Sequence, residues 1–367
     1  MRIAFISWHY LESRRQAGFH FLARTAHRAG HEVLFCTAPI SWLSRLRQDP
    51  RFANPILEER NRMRWVQDRL GSYIWFTPWH PADTRSRVFN RLTAPLFRCY
   101  GRFRRPGLDE WLATADTVVF ESTPALVAFE SLRRAAPRAR LVYRVSDDLE
   151  SIGCHPIVLN AERAALPMFD LVSVPTLAFP SRFRSAGAVY QPHGIDKELY
   201  DALEPRSRGN GYRARCVFIG VNWFDREFVT VAAAALPDVW FDIVGPNTGA
   251  WRLANVQAHG ELPFREAAAI VKAADVGLNP LVYHPGAESL AESLKVQQYT
   301  YCGLPYVAPE FLRTSRVNAF YYRPGDAESI RAAMDAAIRT GRSPGPVGPV
   351  VGWDDVLHHL LHQRAPV

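Results

Sequence analysis

Lysine is nearly missing from this chain. Of 44 basic residues, only Lys197, Lys272 and Lys295 are lysines. Where arginine is the default cation, a retained lysine points to a site that wants a compact point charge. Cysteine is sparse as well. The five residues Cys36, Cys99, Cys154, Cys216 and Cys302 show no metal spacing and suggest no disulfide framework, so a reducing cytosol is the expected setting. No uninterrupted apolar run is long enough to span a bilayer. The opening Met1-Arg2-Ile3-Ala4-Phe5-Ile6-Ser7 is too short for a signal peptide and is followed at once by His9, Glu12, Arg14 and Arg15. The G-x-G-x-x-G fingerprint is absent too: Ser13 to Gly18 holds one glycine, which argues against a standard dinucleotide site there. No Asp-x-Asp pair falls at a strand end, and no His/Asp cluster has metal spacing. The expected site therefore works without a metal or other cofactor.

What is present is an ordinary globular composition, 48% hydrophobic and 22% charged over 367 residues, enough for two domains. The charge is lopsided. Residues 1–105 carry 19 Arg against 7 acids, a net of +12, which leaves −4 for the rest of a chain whose total is +8. The stretch from Trp65 to Arg105 mixes arginine with Trp75, Phe76, Trp79, Phe89, Phe97, Tyr100 and Phe103. Such a mixture suits an anionic membrane interface. It also suits nucleic acid, and a solvated arginine face over buried aromatics is the plain alternative.

Hydrophobic periodicity gives the order of elements. Strands are expected at Arg2 to Ser7, His31 to Cys36, Thr117 to Phe120, Arg140 to Arg144, Asp170 to Pro175 and Ala188 to Tyr190, with helices between them. Pro192-His193-Gly194-Ile195-Asp196 leads into a Pro/Gly/Ser/Arg-rich stretch that reads as a linker. The alternation restarts at Arg215 to Gly220 and continues through Trp240 to Gly245, Val256 to Ala258, Asp275 to Pro280 and Leu304 to Ala308. Two β-α series joined by one linker predict two Rossmann-like, doubly wound α/β domains facing a central cleft. The expected division is 1–200 for an acceptor- and membrane-binding domain, 201–213 for the linker and 214–345 for a nucleotide-sugar domain. The tail 346–367 is expected to end in a helix packing back toward the first domain.

Chemistry concentrates at a few points. Leu294-Lys295-Val296-Gln297-Gln298-Tyr299 opens a helix, with Lys295 in the first turn, where unpaired amides and the helix dipole favour a pyrophosphate. Gly220, after a strand, lets backbone approach such phosphates or serves only as a turn glycine. Asp147 follows the strand Arg140 to Arg144. It is either a base at the cleft edge or the N-cap of the next helix, and Asp148 beside it competes for the role. Glu261 either meets the donor or ends a strand. His193 either lines the cleft or packs in its turn. Arg144 is either an ion-pair partner or a contact to a sugar carboxylate.

The motifs Phe120-Glu121-Ser122, Leu141-Val142-Tyr143-Arg144-Val145-Ser146-Asp147, His193-Gly194-Ile195-Asp196, Gly260-Glu261 and Leu294-Lys295-x-x-Gln298-Tyr299 with Gly303-Leu304-Pro305 run in one order. In this the chain resembles the GumK-like family of membrane-associated glucuronosyltransferases of xanthan-type exopolysaccharide assembly. The resemblance implies a GT-B fold and an inverting, metal-independent transfer of glucuronic acid from UDP-glucuronate to a lipid-linked oligosaccharide. It implies Asp147 as general base, Lys295 at the donor phosphates and Gln298 beside it. Leu294 stands where the family has Met, Leu281 where it has Tyr near the uridine, and Asp148 where it has Gly. The expected partners are the donor, the lipid-linked acceptor and an anionic membrane surface, not nucleic acid. The expected location is the cytoplasmic face of the plasma membrane. The competing readings are a GT-B transferase for another UDP-sugar, an epimerase of the same architecture, and a basic binding protein without catalysis.

Overall fold

The computed structural model of the chain describes residues 1–204, 211–245, 249 and 251–363. It divides into two compact units. One comprises Met1–Ser13, Ala17–Pro192 and the chain from Trp353 onward; the other comprises Arg14–Gln16 and His193–Gly352.

The first unit is built on an eight-stranded sheet. Its strands are β1 (Arg2–Ser7), β2 (Glu32–Ser41), β3 (Met63–Gln67), β4 (Leu70–Thr77), β5 (Thr117–Glu121), β6 (Arg140–Arg144), β7 (Leu171–Val174) and β8 (Val189–Tyr190). Their spatial order is β3-β4-β2-β1-β5-β6-β7-β8. All pairings are parallel except β3 with β4. β1, β5 and β7 are buried almost throughout, as strands covered by helices on both faces should be. The chain moves outward from β1 to β2 and β4, then returns to place β5 on the other side of β1. The order reverses there, and ligands of doubly wound sheets bind at the carboxyl ends of the strands at such a point.

The second unit holds β9 (Ala214–Ile219), β10 (Val239–Val244), β11 (Val256–Gly260), β12 (Val276–Leu278), β13 (Tyr306–Pro309) and β14 (Ala319–Tyr322). The order is β11-β10-β9-β12-β13-β14, all parallel. The reversal falls between β9 and β12.

Three features differ from the sequence reading. β3 and β4 form a hairpin inside the segment read as basic and aromatic, and β4 is buried along its whole length. Trp75, Phe76, Phe97 and Tyr100 are therefore core residues; of the aromatics in that stretch, Trp65 and Phe89 are the exposed ones. Arg105 is buried as well: it pairs with Asp109, donates to the Ser131 hydroxyl and lies over the Trp75 ring. The boundary between the units falls at Pro192/His193, ahead of the expected linker 201–213, of which 205–210 lie outside the described residues. Ile195 bridges to Gly352, and Tyr200 is wholly buried in the second core, which ties 193–204 to the second unit. The helix Trp353–His362 belongs with the first unit, its Trp353 ring stacked on Phe21 at 5.5 Å.

Candidate active site

In the second unit the switch point carries the cluster. The helix Leu294–Tyr301 is docked over β9 and β12 by Tyr299, whose hydroxyl lies 3.1 and 3.0 Å from the carbonyl oxygens of Val217 and Leu278. Gly277 makes room for this: a Cβ there would sit 2.5 Å from the Tyr299 ring. The docking sets the helix N-terminus at the end of β9, where Gly220 follows the strand. Gly220 (φ 146°) and Gly245 (φ 109°) meet backbone to backbone; a Cβ on Gly245 would lie 2.0 Å from the Gly220 carbonyl oxygen. A Cβ on Gly220 would meet the Lys295 ammonium at 3.2 Å. Glycine at both positions keeps open the space that Lys295 occupies.

Lys295 lies 4.6 Å over the Phe218 ring centroid, and no carboxylate pairs with it among the described residues. Burial first, and the charge of Arg15 second, lower its pKa to about 7. An ammonium without a counter-charge at a helix N-terminus is arranged to receive an anion. Gln298, one turn on and on the same face, is buried with its Oε1 unpartnered. The Ser293 hydroxyl, just ahead of the helix, is buried and unpartnered too. Leu294 is half-buried at the first helical position. Thus Gly220, Leu294, Lys295 and Gln298 share one neighbourhood. Leu281 is buried in the second core, and its backbone bridges to Phe224. Glu261 is exposed after β11, two strands from β9. His193 is half-buried at the start of the second unit's main segment.

In the first unit the strand ends around the β1/β5 switch point carry the second cluster. Asp147 is half-exposed in the turn after β6. Its backbone N–H and that of Ser146 both donate to the Ser122 hydroxyl at 3.0 Å. It caps no helix: the next one, Pro156–Ala165, is capped by His155. Asp148 differs sharply from its neighbour. It is buried, accepts from the Ser151 hydroxyl and backbone, and is ion-paired with Arg182. Burial alone would raise its pKa, but the hydrogen bonds from Ser151 and Arg182 and the guanidinium charge hold it below the usual carboxylate range. Arg144 is buried and donates to the Ser173 hydroxyl and to the carbonyls of Gln191 and Pro192. Burial lowers its pKa to about 9, and its hydrogen bonds go to neutral acceptors rather than to a carboxylate.

Two polar groups at these strand ends were given no role from the sequence. Asn279 follows β12, is fully buried, and has neither side-chain amide atom partnered. An asparagine closing the apolar run Val276-Gly277-Leu278 was the available signal. Glu121, at the end of β5, is the other; its partner Ser7 lies 114 residues away in sequence, beyond the reach of local spacing.

Two parallel-sheet units, each with its polar cluster at the strand ends of a switch point, are the architecture of GT-B glycosyltransferases. Solved structures bear out the fold. The Anabaena HepE protein in complex with UDP and glucose matches with a TM-score of 0.57 at 16% identity, over 99% of this chain and 93% of that one. A UDP-forming trehalose-phosphate synthase from Burkholderia xenovorans matches with a TM-score of 0.57 at 12% identity, over 99% and 96%. The chain has the fold of GT-B glycosyltransferases. More narrowly, residues 5–175 match the family described as glucuronosyltransferase GumK, N-terminal domain, so over that span the chain is similar to GumK-like transferases. It is 29% identical over 364 residues, 98% of this chain and 89% of the relative, to the UDP-glucuronate:glycolipid 2-beta-glucuronosyltransferase of Xanthomonas campestris pv. campestris.

Proposed function

We propose that this protein transfers glucuronic acid from UDP-glucuronate to a lipid-linked oligosaccharide, with inversion at the anomeric carbon and without a metal, in exopolysaccharide assembly at the cytoplasmic face of the membrane. The observation that carries the reading is Lys295, an ammonium with no carboxylate partner among the described residues, at a helix N-terminus over the β9/β12 switch point. That is where a nucleotide-sugar pyrophosphate belongs in such a sheet. The substrates of the Xanthomonas relative support the choice of donor and acceptor. In this reading the leaving group is neutralised by Lys295 and backbone amides rather than by a metal.

In this reaction Asp147 takes the proton of the acceptor hydroxyl. The freed oxygen attacks the anomeric carbon from the face opposite UDP. The bond from that carbon to the β-phosphate oxygen breaks, and its electron pair leaves with UDP. Lys295 and the amides of its helix stabilise the charge that builds on the pyrophosphate. Gln298 completes the donor contacts, and Leu294 with Gly220 shapes the space around them.

No helix of the described residues is long and apolar enough to cross a membrane. The helix Arg87–Arg98 supports docking on a surface instead. Val88, Phe89, Leu92 and Leu96 are exposed along one face, and Arg85, Arg87, Arg91, Arg98, Arg102 and Arg104 are exposed around it. An apolar face rimmed by arginine fits an anionic bilayer surface. Incubating the protein with UDP-glucuronate and a lipid-linked oligosaccharide acceptor tests the whole reading. Acceptor-dependent release of UDP is expected, and no release with this donor while another UDP-sugar turns over would replace it.

A further inference from the structure

The mechanism above leaves the buried acid Glu121 unused. Glu121 closes β5, between β1 and β6, and its side chain is only 2% exposed. One carboxylate oxygen accepts the Ser7 hydroxyl at 2.5 Å and the other accepts the Ser146 hydroxyl at 2.9 Å. The Trp8 backbone N–H bonds to it as well. Ser7 ends β1 and Ser146 immediately precedes Asp147, so one carboxylate ties together three adjacent strand ends. The His9 ring stands at the same place, its Nε2 3.7 Å from Glu121 and its side chain 30% exposed. The backbone of His9 is fixed from both sides: its N–H donates to the Ser7 hydroxyl, and its carbonyl accepts from the Thr37 hydroxyl.

Hydroxyls and an amide do not need a carboxylate here; a glutamine would satisfy them without the cost of burying a charge. Among the described residues, the charge bears on two titratable neighbours. From the loop after β1 the titratable group facing Glu121 is His9, and from the turn after β6 it is Asp147. Ser7, Ser146 and the Trp8 amide are its hydrogen-bond partners.

We propose that Glu121 is a positioning residue of the transfer reaction: through Ser146 it fixes the turn that presents Asp147, and through its charge it orients His9 and favours proton uptake by Asp147, so that the three groups act as one unit. The inference rests on Asp147 being the base. Burial foremost raises the Glu121 pKa to about 7, with the charge of Asp147 adding to it against the hydrogen bonds of Ser7, Ser146 and Trp8. Its ionisation therefore falls inside the working pH range. As pH rises through about 7 Glu121 becomes charged and Asp147 becomes the stronger base, so turnover rises across that interval.

The test is Glu121→Gln, which keeps the shape and can rebuild the hydroxyl bonds. A folded variant is expected to keep the wild-type KM for UDP-glucuronate, to lose at least ~10-fold in kcat, and to lose the limb near pH 7 from its kcat profile at saturating donor, where the Lys295 titration does not enter. Wild-type kcat with the limb intact overturns the proposal. So does a lower kcat with the limb unmoved, since a purely structural role would leave the titration in place. If Glu121→Gln does not fold, His9→Asn at the half-exposed ring carries the test. A lower kcat and a flattened limb are expected, and an unchanged profile refutes the unit. Asp147→Asn measured in parallel separates the two readings: normal turnover there overturns the base assignment, whereas an inactive Asp147→Asn beside a normal Glu121→Gln overturns only the positioning role.

Discussion

Lys295 makes the donor site sensitive to pH in a way that can be worked out in advance. Without ligand its pKa lies near 7, because burial and then Arg15 disfavour the charged form. The unfolded value is 10.5, so the fold gains stability as pH rises from about 7 toward that value, while below about 7, with the lysine charged in both states, this contribution stays at its least favourable level. A bound pyrophosphate reverses the balance by favouring the ammonium. At pH 8 the free enzyme holds only about 0.1 proton on Lys295, so binding UDP-glucuronate takes up ~0.9 proton; at pH 6 the uptake falls to ~0.1. Above pH 7 the apparent affinity drops ~10-fold per unit. Titration calorimetry in two buffers of different ionisation enthalpy measures the uptake directly, and the sugar-capped pyrophosphate adds no phosphate monoester titration of its own. Lys295→Ala is expected to abolish the pH 8 uptake and to weaken binding by about 1.5–3 kcal/mol, or ~10–150-fold, the loss of a charged hydrogen bond. Equal uptake at pH 6 and pH 8, or uptake that survives in Lys295→Ala, would refute the argument.

Membrane docking and core packing make separate predictions about the arginine-rich half. Wild-type protein is expected to float with anionic vesicles at low salt and to be released by salt, while Phe89→Asp/Leu92→Asp or Arg91→Ser/Arg98→Ser/Arg102→Ser/Arg104→Ser loses binding at ~1 kcal/mol per arginine removed. Flotation identical to wild type would assign that face to another partner. Arg105→Ser is expected to lower unfolding stability by ~1–3 kcal/mol by stripping buried hydrogen bonds, with Arg104→Ser, at an exposed position, near neutral. Equal denaturation midpoints for the two would contradict the assignment of Arg105 to the core.

How far the sequence carried depended on the range of the interactions involved. β1, β6 and β9 were legible because continuous apolar runs between turn signals mark parallel strands covered on both faces. β4 was not. Its aromatics sit among arginines, and only the pairing of β4 with β2, from another part of the chain, shows that Trp75 faces inward. β14 is short and mostly half-buried at a sheet edge, so it lacks a strong pattern. The unit boundary hid because Tyr200 and Ile195 are held by residues around 299–302 and 351–352, not by local composition. Lys295 and Gln298 were legible because helix start and i,i+3 spacing are local properties. Asp147 and Asp148 were inseparable until Arg182, 34 residues from Asp148, was seen to bind it. The Glu121 network joins residues 114 and 25 apart, and no spacing rule reaches that far.

The central claim is that Asp147 activates an acceptor hydroxyl for an inverting, metal-free transfer from UDP-glucuronate. The most direct measurement is the anomeric configuration and yield of the product formed from UDP-glucuronate and a lipid-linked oligosaccharide, in EDTA, by wild type and by Asp147→Asn. UDP-glucuronate carries its sugar in the α configuration, so the account predicts a β-linked glucuronate, full wild-type activity in EDTA, and a ~10²–10⁴-fold lower rate in Asp147→Asn with donor binding retained. An α-linked product, activity that returns only with Mg²⁺ or Mn²⁺, or normal turnover by Asp147→Asn would contradict it.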